Sequence, residues 1–279
     1  MAFFQELFQP KVIITNKRVL FIILPFHLNK MHQRENQRMI HIGTSGWHYQ
    51  HWKGPFYPAE LPDRDMLKYY INHFCCVEIN NSFYQLPQEK TILKWYAEVP
   101  ESFIFTLKGS RYITHMKKLK NSYKSSLQFL DRVNLLENKL GPILFQLPPR
   151  WKCNPERLNE FLETLPKEYR YAFEFRDPSW FNEEIYKILK IHSAAFCIYD
   201  FNQRQSPKEI TTDFVYLRLH GPSGPYEGSY SRKNLSRWIE HLCVWAKKRI
   251  KIYCFFDNDQ KGYAVQDAIK LKKMTVGMN

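Results

Sequence analysis

From residue 39 onward, apolar residues fall into short runs, and between the runs they recur at three- and four-residue spacing. The first pattern suits buried parallel strands, and the second suits helices that cover a sheet with one face. The runs predict strands at 40–44, 76–80, 103–108, 142–147, 170–175, 194–199, 214–219 and 251–256. The intervening stretches predict helices near 65–74, 88–98, 121–138, 155–165, 182–190, 231–249 and 262–272, with start signals such as Asn154-Pro155 and Ser231. Only 201–213, a loop containing Pro207, lacks a clear helix. Eight strands with helical connections in about 240 residues predict an α/β fold, a (β/α)8 TIM-type barrel.

Side chains alternate across a strand, so parity assigns them to faces. Glu78 and Asn80 oppose Val77 and Ile79; Thr106 and Lys108 oppose Phe105 and Leu107. Glu174 and Arg176 oppose Phe173 and Phe175, and Arg218 and His220 oppose Leu217 and Leu219. The polar members are expected to converge inside the C-terminal mouth, joined by Gln146 and Asp200 at their strand ends, while the apolar members meet the helices.

The stretch from Ile40 to Pro58 reads as a strand that stops abruptly at Gly43-Thr44-Ser45-Gly46 before an aromatic cluster. Its glycines would let a ligand approach the backbone, and Trp47, Tyr49, Trp52, Phe56 and Tyr57 would supply a flat wall. The same residues also suit an aromatic plug packed over the end of the domain.

Residues 1–38 follow a different pattern. Lys17-Arg18 precede an apolar run, Val19 to Leu24, that is too short to span a bilayer and lacks a small-residue cleavage site. They are expected to form a loosely attached N-terminal extension, leaving 39–279 as a single barrel domain. The formal charge is +14. Removing those 38 residues, with six Lys/Arg and two Asp/Glu, leaves 35 basic against 25 acidic residues, a formal +10, so the basic excess belongs to the body. Such a balance favours anionic partners without specifying the fold. Six cysteines form no C-x-x-C pair, and several lie in apolar runs, as expected of reduced core residues in a cytoplasmic protein.

The runs GTSGWHYQHWKGPFYP, VEINNSFYQLP, FTLKGSRYITH, GPILFQLPP, FEFRDPSWF, VYLRLHGP and FFDNDQKGYAVQDA resemble the successive blocks of the domain-of-unknown-function 72 family, also called YecE-like. The resemblance covers roughly residues 39–272 and implies a (β/α)8 barrel similar in shape to the endonuclease IV and xylose isomerase group. It implies no particular reaction. Two positions depart from the family pattern: Asp177 stands where His is common, and Asp257 where Asn is common.

Together these readings predict an acid/base enzyme, of hydrolase, lyase or isomerase type, acting on an anionic phosphate- or carboxylate-bearing substrate at the mouth. Glu174, His220, Glu78 and Asp200 are the candidate catalytic groups, since carboxylates and imidazole move protons near neutral pH. Lys108, Arg176 and Arg218 are the candidate anion contacts, with Trp47, Tyr49, Asn80, Tyr84, His115, Gln146 and Asn258 completing the substrate contacts. Glu174, Arg176, Arg218 and His220 are expected to form one coupled site with Lys108 and Glu78 on its rim. Substituting Arg218→Met is then expected to abolish ligand binding while leaving stability nearly intact.

The alternatives stay open at this level. The carboxylates could exist only to neutralise the cations in an ion-pair network. A divalent metal among Glu78, Glu174, Asp200, His220 and Asp257 is conceivable, but interleaved cations compete for the same carboxylates, so no cofactor is favoured. Basic clusters at Lys117-Lys118-Lys120-Lys124 and Lys247-Lys248-Arg249-Lys251 would serve a nucleic-acid-binding or nucleic-acid-processing barrel. A non-catalytic interaction protein is the third class. A basic groove continuous with the mouth would favour nucleic acid; an enclosed mouth would favour a small substrate. Oligomeric state is not encoded in any of these patterns.

Overall fold

In the computed structural model, which describes residues 12–15, 18–21 and 39–276, the eight apolar runs form eight parallel strands. They are β1 (Ile40–Thr44), β2 (Cys76–Ile79), β3 (Ile104–Lys108), β4 (Leu140–Gln146), β5 (Tyr171–Glu174), β6 (Ala195–Phe201), β7 (Phe214–Leu219) and β8 (Lys251–Phe256). Each pairs with its sequence neighbour from β2 to β7, except that β7 continues to β8 and β8 returns to β1. The seam between β1 and β2 is joined only at its C-terminal end, where Ser45 bridges Glu78 and the Gly46 N–H donates to the Glu78 carbonyl at 2.8 Å. The result is a nearly closed TIM barrel whose closure point is itself one of the mouth carboxylates.

Among the described residues, seven helices cover the outside: α1 (Met66–Tyr70), α2 (Glu89–Glu98), α3 (Tyr123–Val133), α4 (Pro155–Thr164), α5 (Glu183–Ile191), α6 (Arg232–Lys247) and α7 (Tyr263–Val276). Their starts follow local chemistry. Asn154 accepts from the Arg157 N–H with Pro155 at the first helical position, Asn182 accepts from the Ile185 N–H, and Ser231 accepts from the Asn234 N–H. Helix α6 buries Leu235, Trp238, Ile239, Leu242, Trp245 and Ala246, the spacing of one helix face. Burying each large apolar side chain contributes about 1.5–3 kcal/mol, and Leu242→Ala would cost about 2–5 kcal/mol. The stretch expected as one helix over 121–138 divides at Val133, and Glu137 in the following turn takes a φ of +46°, which an α-helix cannot contain. Between β6 and β7 the missing helix is replaced by a short strand, Arg204–Gln205, that folds back antiparallel on β6.

The barrel interior is layered. Cys76, Leu144, Ala172, Ala195, Cys197, Phe214, Tyr216, Tyr253 and Phe255 form an apolar interior cluster, and the outward residues of the same strands join the larger core beneath the helices. Polar inward residues follow these apolar ones toward the strands' C-terminal ends, so they form a layer above that floor. Cys76, Cys197 and Cys254 are buried. Among the described residues, no helix is long and apolar enough to cross a membrane.

The glycines of the first stretch serve packing. A Cβ at Gly43 would lie 2.3 Å from the Cys76 carbonyl oxygen, and one at Gly46, whose φ is +97°, would meet the Tyr49 hydroxyl at 2.6 Å. Trp52 and Tyr57 are fully buried against Phe56 and Tyr69, so most of this segment is the aromatic plug rather than a ligand wall. Within residues 1–38, Val12–Thr15 and Arg18–Phe21 pair as an antiparallel hairpin, and the remainder of the expected extension lies outside the described residues.

Candidate functional site

Arg218, fully buried near the end of β7, is the hub of the mouth. Its Nη2 donates to Glu78 Oε1 at 2.7 Å and to Asp257 Oδ2 at 3.0 Å, and its Nη1 donates to Glu174 Oε2 at 2.8 Å. Arg176, just past β5, pairs through Nε with Glu174 Oε1. Glu78 also accepts from Ser45 Oγ at 2.6 Å and from Tyr216 Oη at 2.7 Å, while the Tyr216 hydroxyl contacts Thr106 Oγ1 at 3.0 Å. Three carboxylates are thus held by two guanidiniums and two hydroxyls, which is how buried charges escape the cost of standing unpaired.

The electrostatics follow from these contacts. Burial pushes the Glu174 carboxyl up, but the guanidiniums of Arg176 and Arg218 outweigh it and hold the group well below the usual 4.5. Burial likewise opposes ionisation of Asp257, and Arg218 with His220 brings it below 3.8. Burial disfavours the Arg218 cation, yet Glu78, Glu174 and Asp257 keep it charged. Glu174 therefore stays ionised through the neutral range and is no proton donor there.

His220 is buried beside this cluster. Its Nδ1 lies 2.9 Å from Asp257 Oδ2, and its Nε2 faces the guanidinium nitrogens of Arg176 at 3.1 Å and Arg218 at 3.4 Å. Nε2 also approaches Glu174 Oε1 at 3.5 Å, but the shorter 3.1 Å contact is to a guanidinium nitrogen, which only donates, so the lone pair is assigned to Nε2 and the proton to Nδ1, where Asp257 accepts it. Phe201 and Tyr226 stand edge-on to the imidazole.

Beside the cluster opens a cleft of about 400 Å³ lined by Gln146, Arg176, Tyr199, Phe201, Arg204 and Tyr226, with Pro149, Pro178, Phe181, Asn202 and Gln205 at its borders. The Arg176 guanidinium stacks on Phe201 at 4.2 Å, where the ring face favours a cation. Among the described residues lining the cleft, Arg176 and Arg204 are the charged ones and none is a carboxylate.

The structure brings Glu174, Arg176, Arg218, His220 and Glu78 into one contact network and places Gln146 in the cleft wall. Glu78 lies at the centre and not on the rim, because Arg218 draws it under the hub. Arg218 cannot serve as an anion contact, since it has no exposure and faces three carboxylates. Lys108 points into the mouth over the Phe83 ring at 4.5 Å, and His115, in a single π-helical turn, packs on that ring at 5.0 Å. Burial and the positive charges of Lys108 and Arg111 bring the His115 imidazole down to about 4.

Other expected residues lie elsewhere. Asp200 is paired in register with Leu219, which faces the helices, and accepts from Gln205 at 3.4 Å. Burial raises its carboxyl. Asn258 donates to the Gly228 carbonyl and to Asp267 of α7, a packing role away from the cluster. Trp47, Tyr49 and Asn80 line a second cleft of about 560 Å³ between β1, β2 and α2, and Tyr84 is 79% exposed on a short helical turn. Asp177, the other departure from the family pattern, accepts from the Ser179 N–H and pairs with Lys152.

Ser45, Tyr216, Tyr199, Phe201, Arg204 and Tyr226 were not legible as site residues, and Asp257 entered the sequence expectation as a metal ligand and as a departure from the family pattern, not as the partner of His220. The carboxylates do not suit a metal, because the guanidinium of Arg218 already occupies the centre that such an ion would need. Among the described residues, no group of three or more His, Cys, Asp or Glu side chains is arranged to hold an ion.

Comparison with known proteins agrees with this architecture. Residues 41–278 match the family model described as Protein of unknown function DUF72. The chain is 31% identical over 236 residues to the UPF0759 protein YecE of Escherichia coli O157:H7, covering 74% of this chain and 82% of the relative. It is 25% identical to the UPF0759 protein YunF of Bacillus subtilis (strain 168), covering 85% and 94% of the two chains. Among solved structures, a DUF72 family protein of Thermotoga maritima MSB8 superimposes with a TM-score of 0.75 at 33% identity, covering 85% of this chain and 98% of that one.

Proposed function

The chain belongs to the DUF72 family, and from that premise we propose that its barrel mouth is an acid/base site for a small substrate bearing a carboxylate or phosphate. One observation supports this above the others: the charged groups lining the cleft are two arginines, while the carboxylates are turned inward onto Arg218. Aromatic walls at Tyr199, Phe201 and Tyr226 would cover the rest of a small molecule.

The proposed mechanism starts from a competition. An incoming anion takes the Arg176 guanidinium, with Arg204 at the cleft edge, and draws it off His220 Nε2. The freed Nε2 lone pair then faces the substrate as general base, and Asp257 on Nδ1 fixes the ring and stabilises the imidazolium that forms. Glu174, held ionised, keeps that cation favourable without exchanging protons itself. The chemistry is proton transfer of isomerase, lyase or hydrolase type.

The nucleic-acid reading has less support. Lys247–Arg249 precede β8 and Lys251 opens it, so they lie at the N-terminal end of the barrel, whereas Lys117–Lys124 follow β3 on the mouth side, at the opposite end. Calorimetric titration with inorganic phosphate tests the proposal. Wild type binds, and Arg176→Met weakens binding at least about tenfold, or 1.4 kcal/mol. Equal affinity in the two proteins rejects it.

A further inference from the structure

We propose that Lys108 is an amine nucleophile that forms an imine with an aldehyde or ketone carbon of the substrate. The inference rests on reading the mouth as a substrate site and adds a carbonyl group to the anionic group already proposed.

Position comes first. Lys108 ends β3 in register with Leu144, which belongs to the barrel interior, so its side chain enters the mouth from within. Residues at the C-terminal ends of barrel strands are where this fold keeps reacting groups.

Its surroundings are unlike those of the other inward cations. Arg176 and Arg218 are each bound by carboxylates, but among the described residues the Lys108 ammonium makes no hydrogen bond and no ion pair; it rests on the Phe83 ring. A lysine retained to neutralise a carboxylate would sit against one. The charged groups acting on it are Arg218 from β7, Glu174 at the end of β5, Glu78 from β2 and Asp257 after β8, while the neutral His115 shares its ring. Burial first, and Arg218 second, bring the amine down to about 8, with the carboxylates acting in the opposite sense. A desolvated lysine near a second cation is a common way to obtain a free amine at neutral pH.

The charge balance is consistent with the product. Three carboxylates and two guanidiniums leave the cluster with a net charge of −1, one positive charge short of neutral, which a protonated Lys108 supplies. In the step itself, the Nζ lone pair adds to the carbonyl carbon and a proton moves from nitrogen to oxygen. The carbinolamine hydroxyl then takes up from solvent the proton that the ammonium gave up and leaves as water with cleavage of the C–O bond, so the protonated imine carries the same single positive charge as the ammonium it replaces. No oxidant or reductant is consumed.

The test uses the full chain with glyoxylate, an aldehyde bearing a carboxylate, and sodium borohydride, which reduces the imine to a stable secondary amine. Peptide mass spectrometry at pH 8 locates the adduct. At that pH an amine with a pKa of about 8 is half neutral, roughly a hundredfold more than an ordinary lysine. Lys108 is therefore expected to be modified at least about tenfold faster than exposed Lys124. Lys108→Arg, which keeps the charge and so guards against a folding defect, should abolish the mouth adduct while leaving surface labelling unchanged. Modification of Lys108 at the rate of Lys124, or none at all, overturns the inference. Phosphate titration of the same sample separates the failures: phosphate bound through Arg176 with Lys108 unmodified removes this inference alone, whereas the absence of both removes the reading of the mouth as well.

Discussion

His220 Nδ1 lies 2.9 Å from Asp257 Oδ2, and this contact decides which imidazole nitrogen can face a substrate. Asp200, by contrast, lies on the helix-facing side of β6. Replacing Asp257 by Asn should therefore abolish turnover in a substrate screen while phosphate binding at Arg176 persists. Asp200→Asn should leave both unchanged and, because burial raises that carboxyl, should not lower stability at pH 7. Loss of activity in Asp200→Asn with retention in Asp257→Asn would reverse the assignment.

Arg218 is the site residue whose removal should unfold the mouth. Methionine in its place leaves Glu78, Glu174 and Asp257 without their shared cation, and breaking a buried pair in this way costs about 3–5 kcal/mol. Tm should fall by roughly 6–20 °C in a thermal scan. The sequence-based expectation of near-normal stability for this variant took Arg218 for an anion contact, which its complete burial excludes. A Tm within 2 °C of wild type, a shift of about 1 kcal/mol or less, would restore that expectation.

Acid should act on the same cluster. Glu174 and Asp257 have folded-state pKa values below their ordinary 4.5 and 3.8. Their ionised forms thus contribute stability that is fully present above those ordinary values and is lost as pH falls through the depressed folded ones. Wild-type Tm should change little on this account between pH 7 and pH 5, and decline steeply below about pH 4.5. The Asp257→Asn variant should show a shallower acid limb, and an unchanged limb would mean that Asp257 is not part of the linked set.

How far the mouth could be read from sequence depended on the strand. Along β7 and the residue after it, Arg218 and His220 alternate with Leu217 and Leu219, so parity alone separated the faces. In β8 both faces are apolar, Tyr253 and Phe255 against Cys254 and Phe256, and nothing in the pattern distinguished Asp257 from Asn258. Strand β6 misled in the same way, with Cys197 and Tyr199 inward and Ile198 and Asp200 outward. Arg204 and Tyr226 arrive from a hairpin and a loop, whose positions depend on tertiary packing and have no period to read. The fold was legible because it rests on eight repeated apolar runs, each tolerant of a boundary error of one or two residues.

All eight barrel strands begin at or after Ile40. Deleting residues 1–38 should therefore leave the barrel assembled, with Tm changed by less than about 4 °C, the shift produced by roughly 1 kcal/mol in a domain of this size. A larger loss in a thermal scan would make that segment an integral part of the domain.

The claim that an anion at Arg176 frees His220 for proton transfer is tested most directly by the imidazole ¹⁵N resonances of His220, recorded with and without inorganic phosphate. Without phosphate, Nδ1 should appear protonated and Nε2 unprotonated. Saturating phosphate should shift the Nε2 resonance as its hydrogen bond from Arg176 is withdrawn, and Arg176→Met should eliminate that response. An Nε2 that carries the proton in the free protein, or one that stays unmoved while phosphate binds, would contradict the account.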